Sequence, residues 1–294
     1  MIFISNLTKD YGNCKGIFDV TLEVQKGEVF GFLGPNGAGK TTTIRNIMGF
    51  IKPDKGTCTI NNLDCFEQRE IIQKDVGYIP GEIAFMDDMK GMEFIKFMGN
   101  YKGIKDLSKA NELIERFELD LSGRIKKMSK GMKQKLGIVV AFMGNPKTLI
   151  LDEPTSGLDP LMQNRFIELI QEETIKGKTI LMSSHMFEEV ERTCSKLAII
   201  KDGKIVAVDN MESIKKAKTK KYIVTLKDEQ ELDKIKKENI NIIVTNENQV
   251  TVVVQNNVKD FINIINKYEI TDLAEEKQNL EDIFMSYYGG KSND

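Results

Sequence analysis

The sequence predicts an α/β fold over residues 1–214 and a smaller α+β domain after it. In the first part, short apolar strands alternate with segments of helical spacing. There, a glycine-rich loop joins the apolar run Val29–Leu33 to a helix that begins at Lys40. From residue 222 onward, the predicted order strand, helix, strand, strand, helix, strand is that of a ferredoxin-like domain. Because strands that alternate with helices form helix-covered sheets, we expect a mainly parallel core sheet in the first part.

The glycine-rich loop has the pattern Gly34-x4-Gly39-Lys40-Thr41, which is typical of a phosphate-binding loop. Its glycines let successive N–H groups point at one anion, and the following helix adds the positive end of its dipole. We expect Lys40 along the β- and γ-phosphates and the Thr41 hydroxyl on Mg²⁺. A glycine-rich turn beside a surface lysine is the alternative, but the flanking strand and helix favour the phosphate loop. The residues predicted to contact the nucleotide here are Gly34, Pro35, Asn36, Gly37, Ala38, Gly39, Lys40, Thr41 and Thr42.

Composition narrows the class of protein. The chain has 294 residues, of which 40% are hydrophobic and 29% charged, so it can bury a sizeable core in about two domains. A net charge of −2 gives no reason to expect nucleic acid as a partner. The four cysteines lack metal-like spacing, no signal peptide is visible, and the apolar runs are shorter than a membrane span. We therefore expect a cytoplasmic protein that needs another chain to cross any membrane.

The order of predicted elements divides residues 1–214 further. Helical spacing covers residues 86–144, which predicts a helical subdomain at about 86–145 between strands. A helix is also predicted over 160–176, and Asp202-Gly203 predicts a hairpin turn between the last two strands. Besides Val29–Leu33, the predicted strands are 2–9, 17–24, 57–60, 76–80, 148–151, 179–183, 197–200 and 205–208.

A lysine-rich run, 215–221, separates the two predicted domains. We interpret it as a solvated linker or exposed helix end, with contact to anionic lipid as the alternative. The second domain is predicted over 222–288, ending in a helix at 280–288, and 289–294 is predicted to be a tail.

Two carboxylates end the buried strand 148–151. Asp152 and Glu153 follow its last apolar residue directly. Ligands of open α/β sheets lie at the carboxyl ends of strands, so these side chains are expected beside the phosphate loop. Asp152 would hold Mg²⁺, and Glu153 would orient or deprotonate the attacking water. The alternative is an acidic strand end that caps the turn before Pro154.

His185 is the only histidine in the chain, and it follows the predicted strand 179–183. A lone histidine is more often structural, but its place on the expected ligand edge favours a functional role near the γ-phosphate. A second anion site is predicted where Ser129 caps the helix that runs to Gly144 and Gly131 permits close approach. Taken alone, that stretch would be a capped helix.

Together these motifs resemble the ATP-binding cassette (ABC) family over residues 1–209, in the family's order. The loop 34–41 is similar to its Walker A motif and 149–153 to its Walker B motif. The stretch 129–134 resembles its signature motif, 156–159 its D-loop with Asp159, and His185 its switch histidine. Tyr11 is similar to the aromatic residue that stacks on adenine.

The resemblance implies a mechanism. Two cassettes face each other head to tail, and each ATP lies between Walker A of one and the signature of the other. Closure of this dimer, and its reopening after hydrolysis, drive a membrane partner. Ser129 and Gly131 are then expected to act across the interface, and Asp159 of the D-loop is expected among the nucleotide-binding residues. Two motifs depart from the family pattern. Glu82 stands near the usual metal-side glutamine and is expected to substitute for it. In the signature, Lys130 and Met132 replace a glycine and a glutamine.

The second domain and the ending 280–284 resemble the bacterial exporter branch with separate membrane subunits. The sequence therefore predicts the ATP-hydrolysing subunit of an ABC exporter, bound to an integral membrane permease and a second cassette. One alternative is a soluble ABC ATPase acting on ribosomes or DNA, although such relatives carry two cassettes or a long coiled coil. Another is a non-catalytic half of a heterodimer, although both Glu153 and His185 are present.

Overall fold

The computed structural model describes residues 1–217, 220–238, 240–246, 248–254 and 258–276. The chain divides into two compact units after Met211. The final helix and the tail predicted from the sequence lie outside the described residues. Helix α8, Met211–Ala217, and strand β11, Lys220–Leu226, extend into the run 215–221 that the sequence predicts as a linker or exposed helix end.

An antiparallel sheet opens the first unit. Its order within the continuously described residues 1–217 is β2–β1–β4–β5. In β1 and β2, inward apolar residues alternate with outward ones, so one face joins the core and the other meets solvent. The strands are β1 Ile2–Asp10, β2 Gly16–Val24, β4 Lys55–Ile60 and β5 Leu63–Asp64.

The second sheet of this unit carries the glycine-rich loop. Its order in the same described residues is β10–β9–β3–β8–β7–β6, and all neighbours pair in parallel except β10 with β9. Every residue of β3 and β7 is buried, as expected for parallel strands that are covered on both faces. The strands are β3 Val29–Leu33, β6 Val76–Ile79, β7 Thr148–Asp152, β8 Thr179–Ser184, β9 Lys196–Lys201 and β10 Lys204–Asn210.

Helices connect these strands, and the predicted helical insert is present. Within it, α3, α4 and α5 follow one another, and a short 3₁₀ turn, Ile125–Lys127, precedes α5. The helices are α1 Lys40–Ile47, α2 Arg69–Asp75, α3 Gly91–Tyr101, α4 Ser108–Arg116, α5 Lys130–Phe142, α6 Pro160–Ile175 and α7 Phe187–Thr193, followed by α8.

The described part of the second unit has the predicted order of strands and helices. Its antiparallel sheet has the order β12–β13–β11–β14, with the first strand of the unit between the third and the last. This is the ferredoxin-like arrangement. Its core contains Val224, Ile235, Val252 and Phe261. Apart from β11, the elements are α9 Glu229–Ile235, β12 Asn241–Asn246, β13 Gln249–Val254, α10 Val258–Ile265 and β14 Ile270–Glu276.

The sequence did not predict β5, α2, α7 or α8. Each has seven residues or fewer, and none shows a sustained apolar period. Their positions depend on contacts with the rest of the fold; Ile72 of α2 and Val190 of α7, for example, are buried. Among the described residues, none of the helices is both long and apolar enough to span a membrane.

Candidate functional site

The glycine-rich loop connects a buried strand to a helix start, as predicted. Strand β3 ends at Leu33, α1 begins at Lys40, and Gly39 before it has a φ of 112°. A Cβ atom on Gly34 would lie 2.4 Å from the Ile200 carbonyl oxygen, so no larger residue fits there without a backbone shift. The first N–H groups of α1 have no acceptor within the helix, which suits them to an anion.

Lys40 is the centre of the site. Its side chain is 5% exposed. The ammonium group donates to the carbonyl oxygens of Gly34 at 2.6 Å and Pro35 at 3.1 Å. It also forms an ion pair with Glu153 Oε1 at 3.1 Å. A buried ammonium group needs such partners, and Lys40 thereby joins the loop to the end of β7.

Asp152 ends β7 and is completely buried. Its Oδ1 accepts a hydrogen bond from Ser183 Oγ at 2.5 Å, because β7 and β8 pair with Asp152 opposite Ser183. Its Oδ2 has no hydrogen-bond partner among the described residues. An unpaired buried carboxylate oxygen is costly, and a hard oxygen of this kind is what Mg²⁺ binds. The residue therefore fits a metal ligand.

The segment after β6 also meets this carboxylate, but through Gly81. A Cβ atom on Gly81 would lie 2.9 Å from Asp152 Oδ2, whereas Glu82 is exposed. The assignment of Glu82 to the metal therefore stays a prediction. Tyr78, in β6 itself, lies near the same carboxylate, and burial, with a contribution from the Asp152 charge, raises its pKa to about 12.

Glu153 links Lys40 to His185. Its Oε2 lies 2.5 Å from His185 Nδ1, while its Oε1 pairs with Lys40. The backbone of Glu153 has a φ of 50°, an uncommon value for a residue other than glycine, and its N–H is held by the carbonyl and hydroxyl oxygens of Ser183. The strained turn aims the carboxylate at the loop.

Sequence reasoning missed the residues that hold this turn in place. Gln134 of α5 donates through Nε2 to the Pro154 carbonyl at 2.7 Å and, more weakly, to the Glu153 carbonyl at 3.4 Å. Ser183 holds both Asp152 and the Glu153 N–H. These contacts can be inferred only when it is known that β7 lies beside β8 and that α5 packs on the turn.

The predicted second anion site forms a separate group at two helix starts. Ser129 caps α5, accepting from Met132 N at 3.2 Å, and Asp159 caps α6, accepting from Met162 N at 3.0 Å. A Cβ on Gly131 would lie 2.7 Å from the Gly157 carbonyl oxygen, so glycine is needed for these two starts to pack together. The predicted Ser129 cap is present, Asp159 forms a cap that the sequence did not predict, and the glycine at 131 has a structural reason besides any role with a ligand.

Tyr11 lies in the turn between β1 and β2, and its side chain is 54% exposed. Its N–H donates to the Lys15 carbonyl at 2.8 Å. The hairpin that carries it reaches the glycine-rich loop, because a Cβ on Gly39 would lie 2.7 Å from Ile17 Cγ2. The exposed ring therefore sits on an element that flanks the loop.

These features define a class of protein: a P-loop nucleotide-binding protein with two carboxylates and a histidine at the carboxyl edge of its core sheet. The model of the family described as ABC transporter matches residues 17–156. The linearmycin resistance ATP-binding protein LnrL of Bacillus subtilis is 34% identical over 71% of this chain and 68% of its own. The bacitracin transport ATP-binding protein BcrA of Bacillus licheniformis is 35% identical over 76% of this chain and 74% of its own.

A solved ATP-binding subunit of an ABC transporter is 32% identical, with a TM-score of 0.68 over 74% of this chain and 92% of that one. The chain therefore belongs to the ABC transporter family. It is an ATP-binding subunit with the ATPase activity of that family, which confirms the resemblance seen in the sequence.

Replacing Lys40 by Ala should weaken Mg-ATP binding about 10- to 100-fold, because hydrogen bonds to charged groups contribute about 1.5–3 kcal/mol. The matched control is Lys52→Ala, since Lys52 is 67% exposed and pairs only with exposed Glu67 at 3.6 Å in the described salt bridges. Titration of a fluorescent ATP analogue measures both affinities. Near-normal affinity in Lys40→Ala would contradict the phosphate-loop assignment.

Proposed function

We propose that this subunit hydrolyses Mg-ATP to power an integral membrane exporter, through ATP-driven pairing of two cassettes. The observation that carries the proposal is the chain of contacts from Lys40 through Glu153 to His185. It joins the phosphate-binding loop to a carboxylate and an imidazole group, which are the side chains that proton transfer and water activation need.

ATP would lie with its phosphates on the loop 34–42 and its adenine on Tyr11. Lys40 would then exchange Glu153 for phosphate oxygens, a stronger charge partner. Thr41 and Asp152 would hold Mg²⁺, and the unpaired Asp152 Oδ2 supports this choice. When bound, Mg²⁺ would neutralise negative charge on the phosphates.

Hydrolysis would use Glu153 and His185 as a pair. Once Lys40 binds phosphate, the Glu153 carboxylate is free to accept a hydrogen bond from the attacking water and its proton. His185 would donate to the γ-phosphate. Its contact with Glu153 Oε2 at 2.5 Å supports a shared role, and speaks against the alternative of a non-catalytic half of a heterodimer.

The second cassette would complete each site. Ser129 and Gly131 at the start of α5, with Asp159 at the start of α6, would face the γ-phosphate bound by the other cassette, in the simplest form a second copy of this chain. The N-terminus of α5 offers free N–H groups and a positive dipole end for this purpose. Gln134 of α5 donates hydrogen bonds to the turn that carries Glu153. These bonds support coupling between the start of α5 and the phosphate-binding site within one cassette.

Replacing Glu153 by Gln should leave Mg-ATP binding intact and slow turnover by at least about 100-fold, since that is the usual cost of losing a general base. Release of phosphate under saturating Mg-ATP measures the rate. Glu67→Gln, at a carboxylate that is 69% exposed, is the matched control and should hydrolyse at the normal rate. Unchanged turnover in Glu153→Gln would move the base elsewhere.

The exporter role draws on the relatives and on the helical insert. The relatives named for linearmycin resistance and bacitracin transport support outward movement of a cargo. On α3, Phe97 is 41% exposed and Tyr101 71% exposed, and their spacing puts both on one helix face. Such a pair suits contact with a helix of a membrane subunit, which would hold the protein at the cytoplasmic face of the membrane.

Replacing Phe97 and Tyr101 together by Glu should abolish co-purification with an integral membrane permease from detergent-solubilised cells, because charge would replace the apolar contact. ATP turnover of the isolated subunit should be unaffected. Ile175→Glu, at an apolar residue of α6 that is 87% exposed, controls for added surface charge. Equal recovery of the permease by all variants would contradict docking at this face. A soluble ABC ATPase, the remaining alternative, would recover ribosomes or DNA instead.

A further inference from the structure

Glu189 is a buried carboxyl group beside the proposed catalytic pair, and neither the sequence analysis nor the proposed reaction uses it. It lies in α7, four residues after His185, and is 2% exposed. Glutamate is rarely buried to this degree unless its carboxyl group has a defined partner. Here Oε2 accepts a hydrogen bond from Ser184 Oγ at 2.7 Å.

Ser184 connects this carboxyl group to the backbone around His185. It is the last residue of β8, and its hydroxyl oxygen also accepts from the Met186 N–H at 2.9 Å. The Ser184 hydroxyl group therefore holds the residues on both sides of His185, Ser184 and Met186. Glu189 in turn fixes the position of that hydroxyl group. The backbone carbonyl of Glu189 accepts from Thr193 Oγ1 at 2.6 Å, so α7 itself is anchored.

The surroundings of Glu189 disfavour its charged form. Burial above all, with a contribution from the charge of Glu153, raises the pKa of Glu189 to about 7, although hydrogen bonds from Ser184 and Thr155 and the nearby His185 oppose the rise. The cavity beside it is about 230 Å³. The titratable and charged groups that face it or share this cavity come from the turn after β7, the end of β8 and α7; they are Glu153, His185, Glu188, Arg192 and Cys194.

We propose that Glu189 is a positioning residue of the ATPase reaction, which sets the place of His185 against Glu153 through Ser184. The inference rests on the roles proposed above for Glu153 and His185. In its neutral form, Glu189 holds Ser184 without competing with Glu153 for nearby positive charge. In its ionised form, it is a second negative charge close to Glu153, and it repels the carboxylate that His185 must contact.

The sign of the pH effect follows. Glu189 is neutral below about pH 7 and ionised above it. Because the neutral form leaves the Glu153–His185 contact undisturbed, we expect kcat to fall as pH rises through this range, with KM for ATP unchanged. Glutamine is a permanent stand-in for the neutral carboxyl group, and its amide oxygen can still accept from Ser184.

The test measures kcat and KM for Mg-ATP in Glu189→Gln and Glu189→Ala from about pH 6 to pH 8. At the acidic end, Glu189→Gln should match the wild type, whereas Glu189→Ala should lose roughly 10- to 100-fold in kcat with little change in KM, as displaced catalytic groups do. The ratio of wild-type to Glu189→Gln kcat should fall as pH rises. Glu188→Gln, at the exposed neighbour in α7, is the control.

A second variant keeps the proposal testable if Glu189→Ala does not fold. Ser184→Ala removes the same hydrogen bond from the other side, so it should lower kcat similarly and add little to Glu189→Ala in the double variant. Wild-type kcat in Ser184→Ala, or a wild-type to Glu189→Gln ratio that is constant with pH, would overturn the positioning role. If either result were found while Glu153→Gln still turned over slowly, only this inference would have failed. Normal turnover of Glu153→Gln would instead contradict the proposed function itself.

Discussion

The ion pair between buried Lys40 and partly buried Glu153 is the interaction on which this site depends. It ties the loop after β3 to the turn after β7, two strands apart in the sheet order. The pair alone offers little net stability, since the cost of removing both charges from water offsets their attraction. Its value is that each partner is held where a phosphate or a water molecule can replace the other.

The groups around that pair retain an unpaired hydrogen-bond acceptor and an unfavourable backbone conformation. Asp152 has one bound and one unpaired carboxylate oxygen, and Glu153 holds an uncommon backbone conformation. Such features destabilise a fold locally, and they persist where contacts with the surrounding structure hold them in place. The parallel register of β7 and β8, with Asp152 opposite Ser183, supplies that constraint.

Sequence reasoning predicted the parts of the molecule whose signals are local. The bounds of β3 and the start of α1 at Lys40 agree with the structure, because four apolar residues around Gly31 and a glycine pattern encode them within fifteen positions. The order of the second unit was also predicted, since period-2 and helical patterns alternate there. The short helices α2 and α7 were missed because the sequence lacks a period long enough to predict them.

The same limit applies to the site. The positions of Asp152, Glu153 and His185 at one edge follow from strand ends alone, and the contact between Glu153 and His185 agrees with that reasoning. The roles of Ser183, Gln134 and Glu189 as supports depend on which strands and helices are neighbours, and no local pattern encodes this. The close approach of Gly81 to Asp152 likewise has no local signal in the sequence, and the role of Glu82 stays a prediction.

In the proposed mechanism, ATP completes its site by joining two cassettes, with Lys40 and Glu153 on one side and Ser129 and Gly131 on the other. The most direct measurement is the solution mass of Glu153→Gln, with and without Mg-ATP. We expect a shift from the monomer mass of 33.3 kDa to twice that value when ATP is added. A protein that binds Mg-ATP and keeps the monomer mass would contradict the pairing of two copies.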